Sequence, residues 1–309
     1  MKKITVVGAG RVGESTAQFI ASRDMCHEIA LVDINEGAAS GAALDIQEAA
    51  PLFQFDTRLT GGSDPELMTG SDLIIITAGI PRKPGMSRSD VMEVNVKVTD
   101  QIVENTLKYA PDAMMLFVSN PVDILTYRAW KKTGWDRNRI FGQAGVLDST
   151  RMASFIALET GYSSLDIDAM VLGGHGDSMV PMMRYTTISG IPVSNFMDQA
   201  TIDDIVTRTR NGGAEILALR QNSSAFDAPA AAVAEMVDAI VYDRKRILPS
   251  VAILDNEYGC SDLAIGAPTV LGRNGMEKVI ELDLNAQEQV DFDNSVAQVR
   301  KDLDILATL

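Results

Sequence analysis

Six residues near the start of the chain, Gly8-Ala9-Gly10-Arg11-Val12-Gly13, and one acid further on, Asp33, together suit the binding of a dinucleotide. Gly8 permits a tight turn, Gly10 lets the backbone approach a pyrophosphate, and Gly13 lets a helix pack closely on a strand. Amides freed at the helix start, with the helix dipole behind them, then face the phosphates. A glycine turn by itself is common in purely structural loops. This one follows the apolar run Ile4 to Val7, opens a helical pattern, and is matched by Asp33 at the end of the next apolar run. Asp33 can accept hydrogen bonds from the adenine ribose hydroxyls and would repel a 2′-phosphate. Ile34 beside it offers no cation for such a phosphate, so NAD is expected over NADP.

The chain has two histidines, His27 and His175. His27 begins the second apolar run and reads as structural. His175 lies in Gly173-Gly174-His175-Gly176-Asp177-Ser178, where the flanking glycines allow a ligand to approach the imidazole closely. Taken alone, a histidine in a glycine loop is as consistent with a structural role as with a catalytic one.

Short apolar runs must form the strands that hold these groups. Ile4 to Val7, Ile29 to Val32, Leu73 to Thr77 and Met114 to Val118 read as strands buried on both faces, alternating with helical patterns as in a wound parallel sheet. Val12, Thr16, Phe19, Ile20 and Arg23 follow helical spacing after the glycine turn, and Asn95 to Tyr109 repeats it before Pro111. The second half is less regular, with an irregular segment at 173–177. Helices are expected there over Thr201 to Leu219, Ala228 to Tyr242 and Ala286 to Leu306, the last with an apolar stripe of Phe292, Val296, Val299, Leu303 and Leu306.

Composition sets the outer limits. At 309 residues with 46% hydrophobic and 22% charged residues, the chain can bury full cores without staples. A net charge of −15 argues against nucleic acid as a partner, because phosphate binding needs a basic surface. Apolar stretches of about eight residues, such as Leu73 to Ile80, are too short to span a bilayer. Cys26 and Cys260 have no metal-ligand spacing and make no disulfide framework, so a cytoplasmic address and no metal are expected. An acidic protein repels anionic substrates at long range, and any such substrate would need local arginines.

Three further segments carry candidate chemistry: Thr77 to Arg88 (TAGIPRKPGMSR), Val118 to Asp123 (VSNPVD) and Leu147 to Arg151 (LDSTR). With the glycine turn and the His175 loop, they stand in the order of, and closely resemble, the lactate/malate dehydrogenase family over essentially the whole chain. The resemblance implies a doubly wound α/β Rossmann domain over residues 1–145 and an α+β catalytic domain over residues 146–309, with the active site in the cleft between them. It implies His175 as general base and acid for the substrate hydroxyl, and Asp148 as the group that orients the ring. Arg151, three residues on from Asp148 and on the same helical face, suits bidentate capture of the C1 carboxylate. Arg88 resembles the loop arginine that polarises the carbonyl oxygen, in a segment whose Pro81, Pro84 and Gly85 suit a hinged lid. Asn120 resembles the residue that hydrogen-bonds the reacting oxygen. Asn95, Val118, Ser119 and Asn120 resemble cofactor contacts, beside Gly8 to Gly13 and Asp33.

Arg82 occupies the position that is glutamine in the family's lactate enzymes and arginine in its malate enzymes. A cation buried beside a methyl group would go unpaired at a cost of several kcal/mol, so Arg82 points to a four-carbon dicarboxylate, malate or oxaloacetate. Ala225 matches a small pocket wall, while Asp227 departs from the pattern where an aromatic is common. The alternatives are a lactate or other 2-hydroxy acid dehydrogenase, against which Arg82 counts, and a silent NAD-binding regulator, which would be free to lose Asp148, Arg151 or His175. The resemblance also implies a homodimer or homotetramer.

Overall fold

A computed structural model of the chain describes residues 1–81 and 88–309, Arg88 by its backbone alone. Arg82, the side chain of Arg88 and the expected lid segment between them lie outside the described residues.

Continuous apolar runs make the central strands. The first half places β1 (Lys3–Val7), α1 (Arg11–Ser22), β2 (Glu28–Val32), α2 (Glu36–Glu48), α3 (Ala50–Phe53), β3 (Arg58–Gly62), β4 (Leu73–Ile76), α4 (Arg88–Tyr109), β5 (Met114–Phe117), α5 (Val122–Thr133) and β6 (Ile140–Gly142) in order. Every residue of β4 and β5 is buried, as a strand covered by helices on both faces requires. These six strands pair in parallel in the order β3-β2-β1-β4-β5-β6, the doubly wound arrangement expected. α1 buries Gly13, Thr16, Ala17, Ile20 and Ala21. Its inner face is thus made by small residues and one large one, Ile20. Arg23, expected on that stripe, is the exposed cap that follows the helix.

The second half opens with α6 (Gly145–Thr160). Four short strands follow, β7 (Ile167–Asp168), β8 (Val171–Leu172), β9 (Val180–Pro181) and β10 (Thr187–Ile188), and then β11 (Ile191–Pro192). α7 (Gln199–Arg220), α8 (Asp227–Val241), β12 (Arg246–Asp255), β13 (Ser261–Gly272), β14 (Gly275–Val279) and α9 (Ala286–Leu306) complete it. The three helices expected there are present within a residue or two, and α9 buries Phe292, Val296, Val299 and Leu306 of its stripe. Not anticipated are β12 and β13, the two longest strands. They form an antiparallel meander with β14 that joins the parallel sheet where Val251 pairs with Gly142, giving nine strands in all among the described residues. One buried apolar cluster runs from Ile4 to Leu306 across both halves, and a smaller one lies between α6, α7 and the short strands.

Asp227 is the first residue of α8, and Arg220 at the end of α7 lies 3.4 Å from its carboxylate. An acid in a helix's first turn meets the positive end of the helix dipole, which accounts for it locally.

Candidate active site

The glycine turn sits between β1 and α1. Gly8 has φ +106°, and a Cβ there would come within 2.6 Å of the Ala78 backbone, so the residue must be glycine. A Cβ at Gly13 would meet the Gly8 carbonyl at 1.8 Å, which is the close helix and strand approach expected. Thr77 donates from its hydroxyl to the Gly8 carbonyl at 2.9 Å and braces the turn. At Gly10, the N-cap of α1, a side chain would meet nothing among the described atoms. The start of the helix is therefore open among the described residues, and its amides suit an approaching phosphate.

Asp33 follows β2 and stands across from this turn. Its Oδ2 accepts from the Ala9 N–H at 2.7 Å and its Oδ1 from the Asn35 N–H at 2.8 Å. The carboxylate is thus fixed beside the turn by backbone, with lone pairs left for ribose hydroxyls, and Ile34 next to it is fully exposed. Val12 is half-buried in α1. Arg11 is exposed: its guanidinium donates to Ser223 Oγ at 3.1 Å and lies 5.4 Å from the Phe226 ring, so the loop between α7 and α8 that carries Ala225 touches the turn.

Across the sheet, Asn95 of α4 spends its side chain on backbone. It accepts from Ile80 N–H at 2.8 Å and donates to the carbonyls of Ile80 and Asn120 at 3.2 and 2.7 Å. That clamp ties the loop after β4 to the loop after β5, so any share Asn95 has in a cofactor pocket comes from holding those loops. Ser119 likewise donates to the Ala78 carbonyl at 2.6 Å. Val118 is half-buried just past β5, and Asn120 is exposed, with no side-chain partner among the described residues.

The histidine, aspartate and arginine expected to carry the chemistry come from two elements. Asp148 and Arg151 lie one turn apart on α6, and His175 stands on the irregular loop between β8 and β9. Asp148, 1% exposed, shares its carboxylate between the two others: Oδ2 is 2.9 Å from His175 Nδ1, and Oδ1 accepts from Arg151 Nη1 at 3.2 Å. With Nδ1 so engaged, Nε2 is the ring nitrogen left for a ligand. Burial works against the charged ring, but Asp148's charge and hydrogen bond, and then Asp123's charge, outweigh it and hold the imidazole above its ordinary value. Such a ring keeps its proton to higher pH than an ordinary histidine.

Sequence reasoning missed the residues that hold these groups. The His175 loop hangs by three successive N–H groups: Gly173 donates to the Gly266 carbonyl of β13, Gly174 to Ser295 Oγ of α9, and His175 to Asp123 Oδ2 of α5. Gly212 on α7 is buried where a Cβ would lie 2.2 Å from Arg151 Cδ, so the arginine stem crosses the helix only because that position is glycine. A glycine inside a helical pattern signals such a close approach, and the acid two residues after Pro121 was a visible sign as well.

Comparison with known proteins accords with this geometry. The model of the lactate/malate dehydrogenase NAD binding domain matches residues 2–142, and that of the family's alpha/beta C-terminal domain matches residues 145–308. A malate dehydrogenase of Thioalkalivibrio sulfidiphilus is 66% identical over 99% of this chain and 100% of its own length. The solved malate dehydrogenase of Salinibacter ruber superposes with a TM-score of 0.95 at 45% identity, over 99% of this chain and 98% of that one. The lactate dehydrogenase of Cryptosporidium parvum, solved with lactic acid and nicotinamide adenine dinucleotide, gives 0.96 at 35% identity over 100% and 98%. Glycine turn, an acid fixed beside it, and a histidine paired with a buried aspartate thus occur together in a chain that belongs, over its whole length, to the lactate/malate dehydrogenase family.

Proposed function

We infer that this chain is an NAD-dependent oxidoreductase that interconverts (S)-malate and oxaloacetate, a step of the tricarboxylic acid cycle. The observation that carries the reading is the buried Asp148 carboxylate, shared between the His175 ring and Arg151. When bound, NAD supplies the hydride acceptor for C2 of malate, and NADH returns the hydride to oxaloacetate. His175 takes the hydroxyl proton on Nε2 as the C2 hydride departs, and gives it back in reduction. Asp148 keeps Nδ1 protonated, so the lone pair stays on Nε2, and it stabilises the imidazolium that forms.

Arg151 keeps donors free beyond the one given to Asp148, and these pair with the C1 carboxylate. Arg82 takes the second carboxylate, which sets the substrate as a four-carbon diacid. Arg88 polarises the carbonyl oxygen and excludes water, and Asn120 hydrogen-bonds the same oxygen. The turn from Gly8 through Ala9, Gly10, Arg11 and Val12 to Gly13 lies against the pyrophosphate, Asp33 holds the ribose, and Asn95, Val118 and Ser119 shape the far end of the cofactor's pocket.

The cofactor domain ends at residue 145 and the catalytic domain spans 146–309. A homodimer or homotetramer is favoured by Leu44 on α2 and Leu52 and Phe53 on α3, which expose apolar surface of the kind that subunits cover. A cytoplasmic enzyme accords with the finding that no helix among the described residues is long and apolar enough to cross a membrane.

Initial rates of NADH oxidation with oxaloacetate and pyruvate, for the wild type and Arg82→Gln, test the substrate assignment. The wild type should strongly prefer oxaloacetate. Arg82→Gln should lose at least about a hundredfold in kcat/KM for it, close to 3 kcal/mol, and gain on pyruvate. Oxaloacetate activity kept within a few-fold, with no gain on pyruvate, would remove Arg82 as the reader of the second carboxylate.

A further inference from the structure

Asp123, in the first turn of α5, is a buried acid with no part in the chemistry described so far. Its Oδ2 accepts the His175 N–H at 3.0 Å, while its Oδ1 is buried without a hydrogen-bond partner among the described residues. The two neighbouring N–H groups of the same loop are satisfied by neutral oxygens, the Gly266 carbonyl at 2.9 Å and the Ser295 hydroxyl at 2.8 Å. A neutral acceptor would therefore have sufficed for the third. A half-satisfied buried carboxylate is a costly way to meet that need, and its charge requires another reason.

We propose that Asp123 is a positioning residue for proton transfer, which fixes the His175 loop through its backbone and supports the protonated imidazole through its charge. This rests on His175 being the proton donor and acceptor. The ionisable groups acting on Asp123 are His175 and, with opposite effect, Asp148. The other charged residues of α5 are paired with its neighbours. Asp100 and Glu104 of α4 pair with Arg128 and Lys132, and Asp262 of β13 with Lys131. β5 and β6 carry no ionisable side chain, the buried residues of α9 are Phe292, Ser295, Val296, Val299 and Leu306, and the two charged residues of β12, Arg246 and Asp255, are exposed at its ends. Burial pushes the Asp123 carboxyl up to about 6, so its charge is present at neutral pH and lost in mild acid.

Asp123→Asn keeps an acceptor and removes the charge. Oxaloacetate reduction needs the protonated ring and fades as pH rises through its pKa. In this variant the alkaline fall of kcat should move down by about half a pH unit or more, with NADH affinity within about twofold of wild type. A profile that superimposes on the wild type, or moves up, overturns the proposal. A second measurement uses the wild-type chain, whose two histidines make the ring resonances assignable by NMR with the His175→Asn variant as reference. The His175 Cε1–H signal should show, besides its own titration, an inflection at about pH 6 from Asp123. Its absence counts against the proposal even where Asp123→Asn does not fold. Full turnover by His175→Asn would instead overturn the reading of the base itself.

Discussion

Replacing Asp148 by Asn is the most exacting perturbation of the base, because it leaves shape nearly unchanged. Two unit charges about 4 Å apart at an effective dielectric near 20 attract by about 4 kcal/mol. The carboxylate charge is spread over its two oxygens, one 2.9 Å from the ring and the other 3.2 Å from Arg151, so the oxygen facing the imidazolium supplies about half of that figure, ~2 kcal/mol. The tautomer adds to this. An amide in the same site turns its oxygen to the guanidinium, because NH₂ facing Arg151 would be repelled. Its NH₂ then faces Nδ1, which must become the acceptor, and the ring proton moves to Nε2, where malate needs a lone pair. Together these should cost about 3–5 kcal/mol, a loss of a few hundredfold to several thousandfold in kcat for malate oxidation. The assay is steady-state kcat and KM in both directions, with NADH binding by fluorescence. NADH affinity should hold, and KM should not rise in step with the loss, since Arg151 is freed of its counter-ion. A purified variant with kcat within tenfold of wild type would refute the reasoning.

Two further outcomes are expected. NADH should be used at least about tenfold better than NADPH by kcat/KM, because the Asp33 carboxylate, pinned by Ala9 and Asn35, would face a 2′-phosphate; equal values would show that Asp33 does not select the cofactor. Gly212→Ala, which favours helix formation by about 1 kcal/mol but puts a methyl on the Arg151 stem, should raise KM for oxaloacetate about tenfold without loss of thermal stability. A KM within twofold of wild type would mean that the stem yields without moving its guanidinium.

The parallel half of the sheet was legible because β1, β2, β4 and β5 are unbroken apolar runs separated by helical patterns. β12 and β13 were not. Pro249 inside β12 and Gly266 and Pro268 inside β13 look like breakers locally, yet Pro249 pairs opposite Pro268, and Gly266 is where Gly173 of the His175 loop bridges to the strand. The glycine that weakens the strand signal is the one that lets the loop approach. His175, Asp148 and Arg151 could be named because they stand in recognisable local strings. Asp123, Ser295 and Gly212 act across 52, 121 and 61 residues of chain, and no local pattern carries such distances.

Charge around His175 balances the two directions of the reaction in an otherwise acidic protein. The net −15 acts at long range, but at physiological salt it is screened beyond about 8 Å, so the groups within the cleft decide binding. Asp148 and Asp123 bring two negative charges, and Arg151 brings one positive charge. A neutral imidazole leaves the cluster at one negative, and protonation of His175 brings it to zero. Oxidised nicotinamide carries one positive charge and the reduced ring carries none. Malate with a neutral base and oxidised cofactor, and oxaloacetate with a protonated base and reduced cofactor, therefore meet the same total charge. Hydride leaves C2 and the proton leaves its hydroxyl, so neither direction of the reaction has to create a net charge at the site. For that balance to hold, the ring must keep its proton when the cofactor is reduced, and the two flanking carboxylates act in that direction, against the burial that disfavours the charged ring.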